Sequence, residues 1–538
     1  MKPFLTLHHP GKAMVYYDAG HWTSDTCYSL IERWAAKRPG SIALRDGRKS
    51  VTWRELRDWV DGVAAHFEGL GLSGGARVSI WMSNRIEAVV TFLAASRIGL
   101  ACNPSLHRSY TCAEIGTLMA RLDTQILVTE AGWGADRDTA DLDAVVADTQ
   151  SVKAVIDADA FPGAGGKPVR PVSDPDSVVY LAFTSGTTGV PKCVMHSTNT
   201  LFANARDLAR DWSLSSDARL LSLSPLSHHI AWVAVGQWLS SGCQLITDDP
   251  PAGTSRLDWI VDTGATYVMG VPTHAMDVLG ALDAAGHEKL GSVEVFYMAG
   301  SPIPPVVAER FMSLGIKPQN IYGMTENSSH QYTHPSDDPV TWTTSCGRGG
   351  KAYEVAIFDP EDRDRRLGVG ETGEIGGRGA ALMLGYFDNQ AATESSFNRD
   401  GWFLSGDLGE LDEAGNLRIK GRLKELIIRG GHNIHPGHIE ALALRHDRVL
   451  KAAAFPVDDD RLGEKVCLAV IGDVSGDEVL QHLASEGLSK FDMPEWFATV
   501  SHFPLTPSGK ILKRELVEMV RRGELKPDPI RYTDKEKT

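Results

Sequence analysis

The sequence predicts an α/β protein with two parts: a large N-terminal body of several subdomains in which helices layer β-sheets, and a small C-terminal domain. Three observations carry this. A chain of 538 residues exceeds what one hydrophobic core ordinarily holds. Short apolar runs of strand character alternate with segments of helical periodicity through most of its length. Near Gly421–Glu425 the pattern breaks and restarts, leaving roughly a hundred residues, the size of a compact domain. The expected division is therefore residues 1–422 and 423–538.

The elements follow in order. Thr52 and Glu55 have capping-box spacing, and Trp53, Leu56, Val60, Val63, Ala64 and Phe67 recur at helical intervals, so a helix is expected over Thr52–Leu70 with that stripe in the core. Ala76–Met82 reads as a strand leading to a helix over Glu87–Ile98. The Gly-, Pro- and Asp-containing stretch Asp157–Pro175 reads as a surface connection, because strand character resumes at Val178. Val178–Phe183 is a buried-strand candidate, and Asp412–Asn416 is a hairpin turn candidate just ahead of the break. No internal repeat or low-complexity tract is present.

Composition excludes some functions. The formal net charge of -15 argues against a nucleic-acid surface, since binding to phosphate backbones requires Lys and Arg to displace counterions. The seven cysteines are scattered without a C-x-x-C pair, which fits buried thiols in a reducing compartment. Met1–Phe4 and the two following histidines lack the charged head and apolar run of a secretory signal, and the last residues form no peroxisomal tripeptide. The most apolar segment, Val78–Pro104, is interrupted by Arg85, Glu87 and Arg97 and cannot supply about 20 apolar residues in a row. The expectation is a cytoplasmic protein without a membrane span.

The chemistry begins after the strand Val178–Phe183. There the chain reads Thr184-Ser185-Gly186-Thr187-Thr188-Gly189-Val190-Pro191-Lys192. Glycines let backbone N–H groups approach phosphate oxygens, hydroxyls add donors, and Lys192 adds positive charge where a polyphosphate would sit. Gly186 and Gly189 are three apart with no Gly-Lys-Ser/Thr after them, so this is not the Walker pattern. A flexible Ser/Thr/Gly surface loop is the alternative for these residues taken alone.

The loop resembles the signature of the adenylate-forming (AMP-binding) superfamily, which includes acyl-CoA synthetases, luciferases and peptide-synthetase adenylation domains. Three further segments in the family's order extend the resemblance over nearly the whole chain. Tyr322-Gly323-Met324-Thr325-Glu326 is similar to its adenine and magnesium motif. Ser405-Gly406-Asp407 and Gly421-Arg422-Leu423-Lys424-Glu425 resemble its ribose and hinge motifs. Pro504-Leu505-Thr506-Pro507-Ser508-Gly509-Lys510 looks like its catalytic-lysine motif. The resemblance implies the adenylate-forming enzyme fold, in which residues 423–538 form a mobile α+β lid.

It also implies residue roles. Tyr322 and Gly323 would lie against adenine, with Gly300 and Ser301 facing them and Thr325 near the α-phosphate. Glu326 would hold Mg2+ through a hard carboxylate oxygen. Asp407 would accept hydrogen bonds from the ribose hydroxyls with Arg422 assisting, although a Ser-Gly-Asp run also favours turns. Lys510 would bridge carboxylate and α-phosphate in the first transition state. Lys424 would be the hinge, and Gly430 and Gly431 would face the incoming thiol of coenzyme A, unless they merely form a β-turn. Ser224–Trp232 resembles the acyl-pocket segment, which with Met298 and Met324 suggests a pocket of His228, Trp232, Met298 and Met324; His229 stays open between pocket wall and structural role.

The implied reaction joins a carboxylic acid to coenzyme A at the expense of ATP, through an acyl-adenylate and with release of AMP and diphosphate. No aspartate follows Pro225 to pair with a substrate ammonium, which favours a medium-chain, alicyclic or aromatic acid over an amino acid. The small acid and coenzyme A are the expected partners; no oligomeric state follows, and a homodimer stays open. Two departures from the family pattern stand out: Cys193 after Pro191-Lys192, where glycine is common, and Met298-Ala299-Gly300-Ser301-Pro302 in place of Gly-Gly-Ala-Pro. Loading of a carrier-protein thiol, a luciferase-like oxygenase and a non-catalytic nucleotide sensor remain as rival readings.

Overall fold

The computed structural model describes residues 2–72, 74–167, 170–184, 191–301, 303–505 and 511–532. Two sheets dominate its first half. One has six strands in the order 154–157, 124–129, 77–81, 101–103, 178–184 and 192–197; all neighbours are parallel except the last pair. The other has eight strands in the order 328–332, 317–324, 295–298, 267–270, 219–222, 244–247, 42–45 and 50–52, parallel except for the hairpin at each edge.

One hydrophobic cluster joins the two sheets. Val78, Ile80, Ile126 and Val128 of the six-stranded sheet share it with Leu220, Leu245, Tyr267 and Tyr297 of the eight-stranded sheet. Helices Ile86–Arg97 and His229–Ser241 lie within it and are buried almost all round, as their lack of a polar face requires. Aromatic contacts fill the space between helices: Trp53 stacks on Trp238 at 5.1 Å, and Phe92 meets Trp232 at 4.4 Å. Two buried charges of this region are paired toward the surface, Glu87 with exposed Lys49 at 2.7 Å and Arg97 with half-buried Asp61 at 2.8 Å. No helix among the described residues is long and apolar enough to cross a membrane.

The local sequence signals carry through. Thr52 caps helix Trp53–Gly69, accepting from the Glu55 N–H while the Glu55 carboxylate accepts from the Thr52 N–H. The strand Arg77–Trp81 and the helix Ile86–Arg97 stand within a residue of their expected limits. Between 157 and 178 the described chain forms only one short turn, Ala158–Ala160. All seven cysteines are buried and unpaired.

A four-stranded antiparallel sheet follows, in the order 353–358, 373–379, 403–411 and 417–422, its last hairpin turning at Asp412–Asn416 as expected. After the short turn Leu423–Glu425 the chain enters a sheet with its own hydrophobic core, built from strands 427–429, 432–434, 449–459, 463–472, 496–499 and 528–529. Helices Pro436–Ala443 and Gly476–Ser485 pack into that core, and Lys513–Arg521 packs against a separate cluster around Phe455 and Phe503.

The inter-sheet core generates the first prediction. Trp238→Ala removes a fully buried indole stacked on Trp53. It should lower stability by about 3–5 kcal/mol, read as a shift of the denaturant midpoint. A midpoint within error of wild type would refute the placement of this core.

Candidate active site

The strands Val178–Thr184 and Lys192–Ser197 form an antiparallel hairpin in which Thr184 stands opposite Lys192. The Thr184 hydroxyl donates to the Lys192 carbonyl at 3.4 Å. Ser185, Gly186, Thr187, Thr188 and Gly189 lie outside the described residues, as do Thr506–Lys510 with the expected catalytic lysine. Cys193 is buried in a cluster with Leu181, Phe183, Leu384 and Phe387, and burial pushes its thiol up to about 12.

Lys192 is tied to the second motif through a residue that the sequence patterns did not single out. Its Nζ lies 4.6 Å from the centre of the Tyr386 ring, and the Tyr386 hydroxyl donates to Glu326 Oε1 at 2.9 Å. Tyr386 belongs to the segment Met383–Phe387, which zips onto the hairpin: Leu384 N–H donates to Met195 O, Met195 N–H to Gly385 O and Phe387 N–H to Cys193 O. Met383 N–H donates to the Glu326 carbonyl at 2.7 Å. Glu326 is buried, and burial pushes its carboxyl above the usual range; Tyr386 and the Lys192 charge pull the other way without cancelling the effect.

His196, also unanticipated, holds the next residue back. Its Nε2 donates to the Thr325 carbonyl at 2.7 Å, which leaves Nδ1 to accept from the Thr200 hydroxyl at 3.0 Å. Burial depresses this imidazole to about 4, so it is neutral at physiological pH. Beside it, the half-buried His229 contacts the Tyr180 hydroxyl at 3.3 Å, and desolvation holds it well below the ordinary histidine value.

Four residues before Glu326, Tyr322 lies buried at the end of the long strand Lys317–Met324. Its hydroxyl donates to Asp407 Oδ2 at 2.9 Å, and Arg422 Nε donates to Asp407 Oδ1 at 2.8 Å. Asp407 and Arg422 face each other across strands 403–411 and 417–422, so this pair is set by sheet register. The Asp407 carboxylate raises the Arg422 guanidinium further above its ordinary value. Gly323 sits where the pairing of strands 317–324 and 328–332 shifts register, and a side chain there would collide with the Ser328 carbonyl. Gly300 has φ 96°, the left-handed region that favours glycine, and the adjacent Ser301 is exposed.

The structure thus links Thr184, Lys192, Thr325 and Glu326 through Tyr386 and His196, and Tyr322, Asp407 and Arg422 through one carboxylate. The residues expected at the acyl pocket lie in different surroundings. His228 precedes helix His229–Ser241 and stacks on His107 at 4.5 Å. Trp232 is fully buried in the inter-sheet core, its Nε1 donating to Leu226 O at 2.7 Å. Met298 belongs to the cluster on the other face of the eight-stranded sheet, because neighbours along a strand point to opposite faces and Tyr297 faces the inter-sheet core. Met324 packs near Tyr322 and Tyr386. Trp232 and Met298 thus belong to different hydrophobic clusters.

In the C-terminal part, Lys424 is exposed on the turn Leu423–Glu425. Gly430 and Gly431, with φ 57° and 88°, form the tight turn of the hairpin 427–429/432–434, so the turn reading holds for their conformation. A Cβ on Gly431 would meet nothing within 4 Å.

Comparison with known proteins places this geometry. Residues 31–387 match the AMP-binding enzyme family and residues 438–510 match the AMP-binding enzyme C-terminal domain. The chain is 32% identical over 518 residues to a methyl-dioxo-octahydroindenyl-propanoyl:CoA ligase of Mycobacterium tuberculosis, covering 92% of this chain and 99% of that protein. It is 30% identical over 534 residues to a 2-hydroxy-7-methoxy-5-methyl-1-naphthoate--CoA ligase of Streptomyces carzinostaticus, covering 93% and 94%. Its fold superimposes on ATP-bound MatB from Rhodopseudomonas palustris with a TM-score of 0.81 at 26% identity, over 92% of this chain and 99% of that one.

The environment of Glu326 makes a prediction with a definite sign. A carboxyl whose folded-state pKa is raised supports the fold below its unfolded pKa and withdraws that support as pH rises through the folded value. Glutamine mimics the protonated form at every pH. Without divalent cation, Glu326→Gln should therefore melt above wild type at pH 8, and the difference should vanish near pH 4, about the ordinary carboxyl value. Identical melting curves at pH 8 would show that the buried carboxylate is not strained.

Proposed function

Because the chain belongs to the AMP-binding enzyme family, we propose that it is an ATP-dependent acid–thiol ligase, which converts a carboxylate, ATP and coenzyme A to acyl-CoA, AMP and diphosphate through an acyl-adenylate. The observation that carries this reading is the short link from Asp407 to Lys192. Tyr322 holds Asp407, Tyr386 holds Glu326 beside Lys192, and only three residues separate Tyr322 from Glu326.

The site residues take these roles. Asp407 and Arg422 bind the ribose hydroxyls, releasing the Tyr322 hydroxyl so that its ring lies against adenine, with Gly300, Ser301 and Gly323 leaving room for the base. Thr184–Gly189 and Lys192 hold the phosphates, and Thr325 approaches the α-phosphate. Attack of a carboxylate on that phosphorus brings two anions together, so the step depends on donors and cations fixed in advance. Lys510 supplies one such cation.

Glu326 fits a divalent cation, Mg2+ by chemistry. It is a buried carboxylate with one neutral donor, a hard oxygen ligand whose ionised form a cation would favour. Among the described residues no cluster of His, Cys, Asp or Glu could hold a metal by itself. The remaining ligands would be phosphate oxygens and water, as is usual for Mg2+. When bound, the cation would neutralise developing charge on the phosphates.

For the second half-reaction, residues 423–538 act as a lid that turns about Lys424, withdraws Lys510 and brings Gly430 and Gly431 toward the thiol. The acid is a medium-chain, alicyclic or aromatic carboxylate, in keeping with the ring-bearing acids that name the two relatives, and the enzyme works in the cytoplasm.

A diphosphate-release panel of octanoate, cyclohexanecarboxylate, benzoate and phenylalanine, each with and without coenzyme A, tests the reading. Release with a non-amino acid and thioester formation with coenzyme A are expected; silence across a wider panel of acids would overturn it. Lys510→Ala should reduce adenylation roughly a hundred- to a thousandfold while largely sparing thioester formation from supplied acyl-adenylate. Equal losses in both steps would contradict the turning lid.

A further inference from the structure

The hairpin that carries Gly430 and Gly431 also carries a histidine with a partner. His432 follows the two glycines directly, and its Nε2 lies 2.8 Å from Asp492 Oδ1. Asp492 comes from a different segment, 60 residues away, and that segment is fastened to the hairpin. Arg429, opposite His432 in the strand register, donates from Nη1 to the Phe491 carbonyl at 2.8 Å and pairs through Nη2 with Glu495 at 2.8 Å. The Asp492 N–H donates to the Ser489 carbonyl at 2.9 Å. The pair is therefore built into the lid, with a guanidinium setting the position of the loop that supplies the carboxylate.

A carboxylate only accepts, so Asp492 fixes the proton of neutral His432 on Nε2 and leaves the Nδ1 lone pair as a proton acceptor. The charged and titratable groups around it are Asp492, Arg429 with Glu495, Glu464, which accepts from the Ile428 N–H, Lys490 in the Asp492 loop, and His435 three residues on. His432 is half exposed, and the flanking apolar residues Ile428 and Phe491 are 54% and 72% exposed. The basic nitrogen, the side-chain-free turn and two apolar side chains thus share one end of the lid.

We propose that His432, oriented by Asp492, is the base that takes the thiol proton in the second half-reaction; this rests on the two-step reading above. The S–H bond breaks with its proton moving to Nδ1, and the sulfur pair forms the C–S bond at the acyl carbonyl carbon. The C–O bond to AMP breaks with its electron pair leaving on the phosphate, and the imidazolium returns its proton to water. Gly430 and Gly431 leave room for the thiol arm beside that nitrogen.

The test separates this step from the overall reading. The acyl-adenylate of the most active acid of the panel is mixed with coenzyme A and His432→Gln, and transfer is followed from pH 6 to 9.5, with acid-dependent diphosphate exchange in the same preparation reporting fold and adenylation. Transfer at pH 7 should fall about a hundredfold. The deficit should shrink toward the top of this pH range, where the thiolate of coenzyme A increasingly forms unaided. Exchange should stay within about twofold of wild type, and Asp492→Ala should show a smaller deficit with the same pH dependence. A pH-independent loss, unchanged transfer, or a parallel fall in exchange would each overturn the base assignment. Failure of the wild type itself to form any thioester would instead overturn the ligase reading.

Discussion

The site depends on burying a carboxylate beside a lysine without letting the two neutralise each other. Tyr386 stands between Glu326 and Lys192, giving one a hydrogen bond and the other an aromatic face. A direct ion pair would satisfy both groups and leave neither for a ligand. A phenol instead supplies a neutral donor, so the carboxylate keeps its charge-bearing capacity and the ammonium its positive field. Asp407 is handled differently: Tyr322 binds one oxygen and Arg422 the other, across one strand pair.

That arrangement explains why three sheets must meet. Lys192 comes from the six-stranded sheet, Tyr322 from the eight-stranded sheet, and Asp407 with Arg422 from the four-stranded sheet. The first two are locked by the aromatic core between them, where close packing leaves little freedom to slide. The segment Met383–Phe387 then stitches the hairpin at Lys192 to the backbone of Glu326 through main-chain hydrogen bonds. Those bonds place a phenol where only a few tenths of an ångström separate a good hydrogen bond from a lost one.

The fold was legible where local rules decide it. The capping box at Thr52, the strand after Gly75, the hairpin at Asp412–Asn416 and the buried strand into Thr184 all stand where spacing put them. The residues proposed to bind the nucleotide were visible only as family motifs. Tyr386 and His196 lacked a local signal because their roles are tertiary: a Gly-Tyr pair and a histidine in an apolar strand gain meaning only against Glu326 and Thr325, which are 60 and 129 residues away. Where Trp232 on its helix and Met298 on its strand pack is tertiary in the same way, since local sequence does not say which hydrophobic cluster a side chain joins. His432 resembles any exposed histidine until Asp492 is set beside it.

The two half-reactions make opposite electrostatic demands, which is a physical reason to build them on separate surfaces. Forming the adenylate requires positive charge around a crowded cluster of anions, and a carboxylate–imidazole pair next to a triphosphate would add repulsion there. Forming the thioester requires a proton acceptor, and a nearby carboxylate favours the imidazolium that results. In the proposed reaction, Lys510 and the His432–Asp492 hairpin would therefore serve one carbonyl best by taking turns. The C-terminal part has a hydrophobic core of its own, and the short turn Leu423–Glu425 is where its chain leaves the body, as the proposed turning of that part requires. In the proposed reaction, carrying both charge patterns on one element means that a motion removing the first would also deliver the second.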